Sequence, residues 1–425
     1  MIVNFFVNDP VRALSIFNVI LICTSVVPIY LLLKSYVEVR INLLVTSVIF
    51  SMSYMWIMST EPLSEGAAVA IVWWFLWSLK QARKHPTFIS SITPLFLFSI
   101  LMGTRLSYLP IGIGILLLWI YYRKFFKTNT LYMIFIAQQV GIALLFQLVW
   151  IMGLVSSTGG IAAFIELASG FVAGHFTEWG GAVTADSMPI FERLVNLFFY
   201  NFLWTGLFSH SVLIAVLYSL FFGLVIYQLK SKRWTTDSFT YWLVVIYSSY
   251  FVWVLFAQNI DKPRHILPLT GIFTFILFKE LFKGSYLRLV SWLCMLLIIL
   301  QSIHGSSLIV MKAAEPPAVY QLTDYLTEID DQLLVFTWEE ARVMDYLQVD
   351  YQYKEILTFE YFLMELPSNP QVRVFLTDRV VDGFEKQGVA IENNIQKVKK
   401  FNSNPLFDPV YGTITLYEWT NHKKK

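Results

Sequence analysis

Between Ala13 and Val310 the chain repeats one pattern about ten times: an apolar stretch of roughly twenty residues followed by a short polar turn. Twenty helical residues rise about 30 Å, which matches the hydrocarbon core of a bilayer. Only 14% of the 425 residues are charged, whereas soluble domains carry about 25%. The pattern therefore predicts a mainly α-helical, polytopic membrane protein.

We predict about ten spans and take their orientation from the charges between them. The spans cover residues 13–33, 41–59, 65–79, 89–105, 108–122, 130–152, 210–229, 238–257, 266–282 and 289–310. Basic side chains are concentrated on alternate connections, at 34–40, 80–84, 123–127, 230–233 and 279–288. The positive-inside rule places those connections in the cytoplasm.

This alternation depends on residues 191–208 (FERLVNLFFYNFLWTGLF), because a crossing there would invert every later connection. We predict an interfacial helix instead, with its Phe and Trp side chains in the headgroup layer and Glu192 and Arg193 in water. The topology then places both the amino terminus and residues 311–425 outside the cell membrane.

Two regions follow from composition. Residues 1–310 carry more basic than acidic residues and form the predicted membrane domain, in which 153–209 is a long outer loop. Residues 311–425 carry more acidic residues and alternate strand-like runs (332–337, 371–377 and 413–419) with amphipathic helical runs, which predicts a small extracytoplasmic α/β domain. No basic surface indicates nucleic acid. Cys23 and Cys294 lie in apolar stretches, as core thiols do.

The predicted outer connections contain the unusual ionisable residues. Glu61 and Glu65 flank the start of a span and share a helical face if that helix extends back to Pro62. Such a pair suits acid–base catalysis on a hydroxyl, or a divalent cation, although acidic residues in a first turn also complement the helix dipole. No metal site is assigned.

A cationic group lies on the same predicted face: Arg105, Lys262, Arg264 and His265. A lipid phosphate at the membrane boundary needs guanidinium donors for bidentate contact, Lys for charge and His for a switchable proton. Anchoring to anionic headgroups is the alternative.

The stretch Gly170–Ala185 (GFVAGHFTEWGGAVTA) is rich in glycine and contains His175, Glu178 and Trp179. We predict a Gly-hinged loop over the site, because an indole face stacks on the C–H groups of a sugar. Two residues, His175 and Glu178, do not make a metal site.

These parts in this order resemble the GT-C class of membrane glycosyltransferases, specifically the protein O-mannosyltransferase and aminoarabinose transferase branch. The similar features are the acidic opening Glu61–Glu65, the helix end Gly103-Thr104-Arg105, the long outer loop, and Arg264-His265-Ile266-Leu267-Pro268 entering a late span. The resemblance covers most of residues 10–310.

The resemblance implies transfer of a sugar from a polyprenyl-phosphate donor to a cell-envelope polymer, lipid or protein. Catalytic carboxylates would then be Glu61, Glu65 or Glu178, and phosphate or sugar contacts Arg105, His175, Trp179, Lys262, Arg264 and His265. The chain departs from the family at its start, where the first helix and its loop acidic residue have no counterpart except Asp9. A degenerate, non-enzymatic membrane subunit and a lipid or sugar transporter are the alternatives.

Overall fold

The computed structural model describes residues 7, 9–177, 181–182, 187–231, 237–284, 286–329, 331–356, 358–367, 369 and 371–420. Contacts divide the chain into two compact units, Met1–Leu308 and Ile309–Lys425. The first unit is helical, and the second contains a five-stranded sheet.

Helices begin and end close to the predicted apolar stretches. In chain order they are α1 (Pro10–Thr24), α2 (Val26–Leu33), α3 (Val39–Phe50), α4 (Ser53–Thr60), α5 (Glu65–Lys84), α6 (Phe88–Thr104), α7 (Ile113–Tyr122), α8 (Asn129–Ser157), α9 (Ile161–Thr177), α10 (Ile190–Val195), α11 (Val212–Ser231), α12 (Ser238–Ala257), α13 (Leu267–Leu281) and α14 (Leu287–Ala314). Short 3₁₀ helices cover Leu106–Gly112, Arg123–Phe125 and Pro263–Ile266, and a π-helix covers Asn196–Leu207.

Five helical segments are long and apolar enough to cross a membrane, within the part of the chain that the structure describes. They are Pro10–Leu33, Leu106–Phe125, Asn129–Ser157, Ser238–Ala257 and Leu287–Thr327. Two bent pairs, α3 with α4 (54°) and Ile190–Leu207 with Val212–Gln228 (111°), raise the number to seven if each is one span. The protein is thus a helical membrane protein with five to seven candidate spans.

This number is lower than the ten predicted because the central helices lack the length or the apolar composition expected of a membrane span. α6 and α13 have only 17 and 15 residues. α5 has 20 residues, but it begins with Glu65 and ends with Arg83 and Lys84. Most side chains of α5 and α13 are buried inside the bundle, so neighbouring helices rather than lipid surround them.

The predicted loop 153–209 is partly helical. α9 runs through Ile161–Thr177, so the prediction of a Gly-hinged loop is wrong for Gly170–Thr177. A single glycine costs a helix only about 1 kcal/mol, so Gly170 and Gly174 do not by themselves prevent this helix from forming. Residues 178–180 and 183–186 lie outside the described residues.

The segment 191–208 is helical, as predicted, but the position of Arg193 differs from the prediction. α10 continues into the π-helix, which then turns by 111° into α11. Glu192 is exposed, but Arg193 is buried, not in water. Its Nε donates to the Leu255 carbonyl at 2.5 Å and its Nη2 donates to the Gln258 carbonyl. The reason is that the end of α12 presents unpaired carbonyls, which a guanidinium satisfies.

Large apolar side chains cover the outer surface of the helical unit, as lipid contact requires. On α8 no residue of the most apolar window is buried. Cys23 is likewise exposed, so it is not the core thiol that its apolar surroundings predict, whereas Cys294 is buried.

The second unit is a small α/β domain. Its elements are α15 (Ala318–Thr327), β1 (Leu333–Thr337), α16 (Ala341–Leu347), β2 (Gln352–Glu355), α17 (Phe359–Glu365), β3 (Arg373–Thr377), α18 (Asp378–Lys386), β4 (Ile395–Asn402) and β5 (Thr413–Trp419). The sheet order is β2-β1-β3-β5-β4, with β1 parallel to β2 and β3, and β5 antiparallel to β3 and β4. Apolar clusters form on both faces of the sheet.

Candidate functional site

The amino-terminal end of α5 carries a fully buried carboxylate, Glu65. The preceding turn is held by Asn18 of α1, whose Nδ2 donates to the carbonyls of Glu61 at 3.0 Å and Leu63 at 2.5 Å. Because Glu61 is extended and the helix begins only at Glu65, the two glutamates do not share a helical face.

Two guanidinium groups meet Glu65 from different parts of the chain. Arg105, at the end of α6, places Nη2 at 3.0 Å from Glu65 Oε1. Arg264, in the 3₁₀ turn Pro263–Ile266, places Nε at 2.5 Å from the same oxygen. These contacts are ion pairs without hydrogen-bond geometry, and within the described residues neither Glu65 oxygen has a hydrogen-bond partner.

Further polar contacts hold the Arg105 and His265 side of this ion-pair group. Arg105 Nη1 donates to Ser64 Oγ at 3.1 Å, and Arg105 Nη2 lies 3.1 Å from His265 Nδ1. The His265 carbonyl accepts a hydrogen bond from Tyr250 Oη at 3.0 Å. We call Ser64, Glu65, Arg105, Arg264 and His265 the Glu65 cluster.

The π-helix positions the turn that supplies Arg264 and His265. Asn201 Nδ2 donates to the Ile260 carbonyl at 2.7 Å. Gly206 packs so closely that an added Cβ would lie 2.5 Å from both Ile266 Cδ1 and Thr270 Cγ2. Wider helical turns of this kind recur at functional sites, where they change the direction of the helix.

A strained turn follows the π-helix. Ser209 and His210 have φ of 51° and 62°, a conformation that costs non-glycine residues energy. Hydrogen bonds hold it: Tyr54 N–H donates to Ser209 Oγ at 3.0 Å, and His304 Nε2 lies 2.8 Å from the Ser209 carbonyl. The hydroxyl of buried Tyr54 lies close enough to Arg264, Glu65 and Glu61 to interact with their charges.

The Glu65 cluster has an excess of positive charge, with two guanidinium groups against one carboxylate. The side chains of Arg105 and Arg264 are 17% and 21% exposed, whereas that of Glu65 is not exposed. Glu65 is thus the buried partner of both arginines, and each arginine side chain remains partly exposed. Such a pair matches the geometry of a phosphate or carboxylate ligand.

No protein-family model matches this chain, and no curated protein matches its sequence.

The other predicted site residues lie in different positions. Glu61 is half-buried beside the cluster, and Lys262 directly precedes the turn that carries Arg264. His175 lies in α9, but its side chain is outside the described part of the structure, as are Glu178 and Trp179.

The geometry does not support the binding of a divalent cation. Among the described residues, no three His, Cys, Asp or Glu side chains come together as metal ligands. Glu65 instead has two cations as neighbours.

Sequence reasoning missed the tyrosines around the cluster. Buried Tyr54, Tyr108 and Tyr250 surround it, and the rings of Tyr108 and Tyr250 lie 5.2 Å apart. Each lies within or beside an apolar stretch, where an aromatic residue is the ordinary core residue. Only their hydroxyls, near charged groups, indicate another role.

Proposed function

We propose that this protein is a membrane glycosyltransferase that transfers a sugar from a polyprenyl-phosphate donor to an extracytoplasmic cell-envelope acceptor. The observation that carries the proposal is the pair Arg105 and Arg264, which meet on one buried carboxylate at the ends of apolar helices. A phosphate attached to a membrane lipid is the anion that reaches such a position and fits two guanidinium forks.

The proposal includes ten crossings, with the Glu65 cluster and residues 311–425 outside. It is supported by how charges are distributed along the central helices. α5 begins at Glu65 and ends at Lys84, and α13 begins after His265 and contains Lys279 near its end. Arg105 ends α6, and Asp237 caps the start of α12. α5 and α13 therefore run from the Glu65 cluster toward a second charged region, which contains Lys84, Lys279 and Asp237.

The arginines would act on the leaving group. Negative charge grows on the phosphate oxygen as the bond to the sugar breaks, so donors fixed at that oxygen bind the transition state more tightly than the ground state. Arg264 and Arg105 supply those donors, and His265 supports Arg105 through Nδ1. The acceptor hydroxyl oxygen bonds to the sugar carbon as the bond from that carbon to the phosphate oxygen breaks. A carboxylate accepts the proton of the hydroxyl.

We assign different roles to the two glutamates. Glu65 contacts two guanidinium groups, so we assign it to positioning them. Glu61, half-buried in the turn before α5, is the carboxylate that we assign to the acceptor hydroxyl. Among the described residues, Glu65 is the carboxylate of the cluster and Glu61 is the carboxylate of the adjoining turn.

Polyprenyl phosphate is the probe for this site, because it is the leaving group of every such donor whatever the sugar. The first prediction is that the purified chain binds polyprenyl phosphate more tightly than the uncharged polyprenol. Arg264→Ala should weaken this binding and lower turnover with lipid-linked hexoses by about 10² to 10³. Arg264→Lys should be impaired as well, because an ammonium group does not reproduce the guanidinium fork.

The matched control is Arg288→Ala, since Arg288 is an exposed arginine at the start of α14. Native mass spectrometry measures the bound lipid, and release of labelled sugar measures turnover. Full transfer by Arg264→Ala with donor below saturation would contradict the proposal. Tight binding of polyprenyl phosphate without transfer to any acceptor would favour the non-enzymatic subunit or transporter.

A further inference from the structure

A cavity of about 820 Å³ lies at the other end of α5 from the Glu65 cluster. We call it the basic cavity, because its lining includes Lys34, Lys80, Arg83 and Lys84 together with one carboxylate, Asp237. The 20 residues of α5 extend about 30 Å. The two sites are therefore separated by roughly the thickness of a bilayer's hydrocarbon core.

The single carboxylate of the lining is already engaged. Asp237 forms an ion pair with the fully buried Lys279. It also caps α12, where its Oδ1 accepts from the N–H groups of Phe239 at 3.0 Å and Thr240 at 3.1 Å. Among the described residues of the lining, four basic side chains therefore face one carboxylate that is already paired, which favours an anionic ligand.

Two of these cations are held in place. Lys80 Nζ donates to Ser35 Oγ at 2.6 Å and lies 4.0 Å from the ring centre of Tyr36. Arg83 donates to Ser238 Oγ, and its guanidinium lies 5.3 Å from the ring of Tyr121. Fixed donors lose little conformational entropy when a ligand binds.

The other two cations lie on the rim. Lys34 and Lys84 are exposed, and within the described residues neither side chain has a hydrogen bond or an ion pair. Membrane orientation requires basic residues on one side of a protein, but it does not require a cavity that gathers them from separate connections around aromatic rings.

We propose that the basic cavity binds a phosphate-bearing ligand. The held cations supply directed donors, the rim lysines supply charge, and the volume lies within the range of about 300 to 1,000 Å³ for small-molecule sites. The phosphate belongs either to a lipid headgroup or to a soluble molecule. This site goes beyond the proposed glycosyl transfer and does not depend on it.

The test uses the full chain in detergent micelles with three probes: short-chain phosphatidate, diacylglycerol with the same chains, and inorganic pyrophosphate. Binding of the lipids is measured by native mass spectrometry, and binding of pyrophosphate by calorimetry. The double variant Lys34→Gln/Lys84→Gln removes only exposed side chains, so the fold is retained. We expect it to weaken binding of the phosphate probe roughly tenfold to thirtyfold. The same loss is expected in an Arg264→Ala background, because the Glu65 cluster is separate.

The matched control is Lys127→Gln, an exposed lysine on another basic connection that does not line the cavity. Binding of phosphatidate but not pyrophosphate assigns the site to a lipid headgroup, and the reverse assigns it to a soluble phosphate. Three outcomes would overturn the proposal. The first is an equal loss of binding in Lys127→Gln, and the second is that no probe binds. The third is that phosphatidate and diacylglycerol bind equally while pyrophosphate does not bind.

Discussion

Glu65 is a fully buried carboxylate between two guanidinium groups. Burying a charge costs free energy unless opposite charges compensate it. Removal of one partner therefore leaves the remaining charges buried and uncompensated. Because Arg105 and Arg264 carry the same charge, the carboxylate also allows them to lie side by side.

The second prediction follows from this arrangement. Glu65→Gln should lower the free energy of unfolding by about 2 to 4 kcal/mol, because two cations lose their shared counter-charge. Thermal unfolding in detergent micelles measures the effect. The matched substitution Glu61→Gln changes a half-buried residue of the adjoining turn and should cost less. Equal stability of the Glu65→Gln variant and the wild type would show that the ion pairs contribute nothing.

Glu340 is a second buried carboxylate, in the α/β unit. It is 2% exposed, and its Oε2 accepts from the Trp338 N–H at 2.8 Å. Burial raises the pKa of Glu340, and the neighbouring Asp378 carboxylate raises it further. A raised pKa means that the folded state holds this proton more tightly than the unfolded state.

The third prediction concerns pH. The contribution of Glu340 to the free energy of unfolding is complete below its ordinary pKa of 4.5 and is lost as the pH rises through the raised value. Glu340→Gln mimics the protonated form, so it should match the wild type at acid pH and protect β1 and β3 better at neutral pH. Hydrogen exchange of the full chain, compared at each pH, measures this difference.

Glu328→Gln is the control for this experiment, because Glu328 is an exposed carboxylate of the same unit. It should leave exchange in both strands unchanged. A Glu340→Gln variant that exchanges as fast as the wild type at neutral pH would contradict the prediction.

At the scale of single residues, the sequence was informative wherever a charge interrupts an apolar stretch. Glu65, Arg105 and Arg264 were predicted as site residues for that reason, and the structure brings them together. The hydroxyls of Tyr54 and Tyr250 were not predicted, because an aromatic residue in an apolar stretch gives no signal that distinguishes a site from a core.

At the scale of elements, the π-helix Asn196–Leu207 is the part of the fold that most constrains the site. It packs on the turn that carries Arg264 through Gly206, at a distance that leaves no room for a side chain. Its position therefore determines whether Arg264 reaches Glu65.

The fourth prediction tests this packing. Gly206→Ala should destabilise the protein by about 1 to 3 kcal/mol through overpacking and weaken binding of polyprenyl phosphate, because Ile266 and Thr270 must move. Gly223→Ala is the matched control, since nothing lies within 4 Å of its added Cβ. The control should be neutral or slightly stabilising, because alanine favours a helix. Unchanged binding in Gly206→Ala would separate the π-helix from the site.

Elements with a strong sequence period were predicted well. β5 is predicted at Thr413–Trp419 and observed there, because its buried residues form a clear run. β2 and β4 were missed, since neither has the buried run of a central strand. Both lie at edges of the sheet, where one side of the strand has no neighbour to demand an apolar sequence.

At the scale of the whole molecule, the helices of the first unit connect two charged regions. One contains the Glu65 cluster, and the other contains the basic cavity. The proposed topology, with ten crossings and the α/β unit outside, would place the basic cavity in the cytoplasm, in accord with the positive-inside rule.

The fifth prediction tests that topology. Arg342→Cys, at a side chain that is 72% exposed, should react with a membrane-impermeant maleimide in intact cells. Lys127→Cys should react only after permeabilisation. Cys23 and Cys294 are first replaced by serine, because Cys23 is exposed. Labelling of position 342 only after permeabilisation would show that the α/β unit faces the cytoplasm and would contradict the proposed topology.

The sequence by itself determined the class of protein. Long apolar stretches with charged ends require helices in a bilayer, because no other element satisfies its own backbone there within one segment. It also determined the acidic α/β unit, through the change in charge and periodicity after residue 310.

Only the tertiary structure decided which charges meet. Glu65, Arg105 and Arg264 lie far apart along the chain, and their contact depends on how α5, α6 and α13 pack. Packing of α2 and α12 against α5 likewise places Lys34, Lys80 and Arg83 around one cavity. Hydropathy depends on each residue alone, whereas an ion pair depends on distances of a few Å between separate helices. The sequence pattern therefore predicts the helices but not the partners of their charged ends.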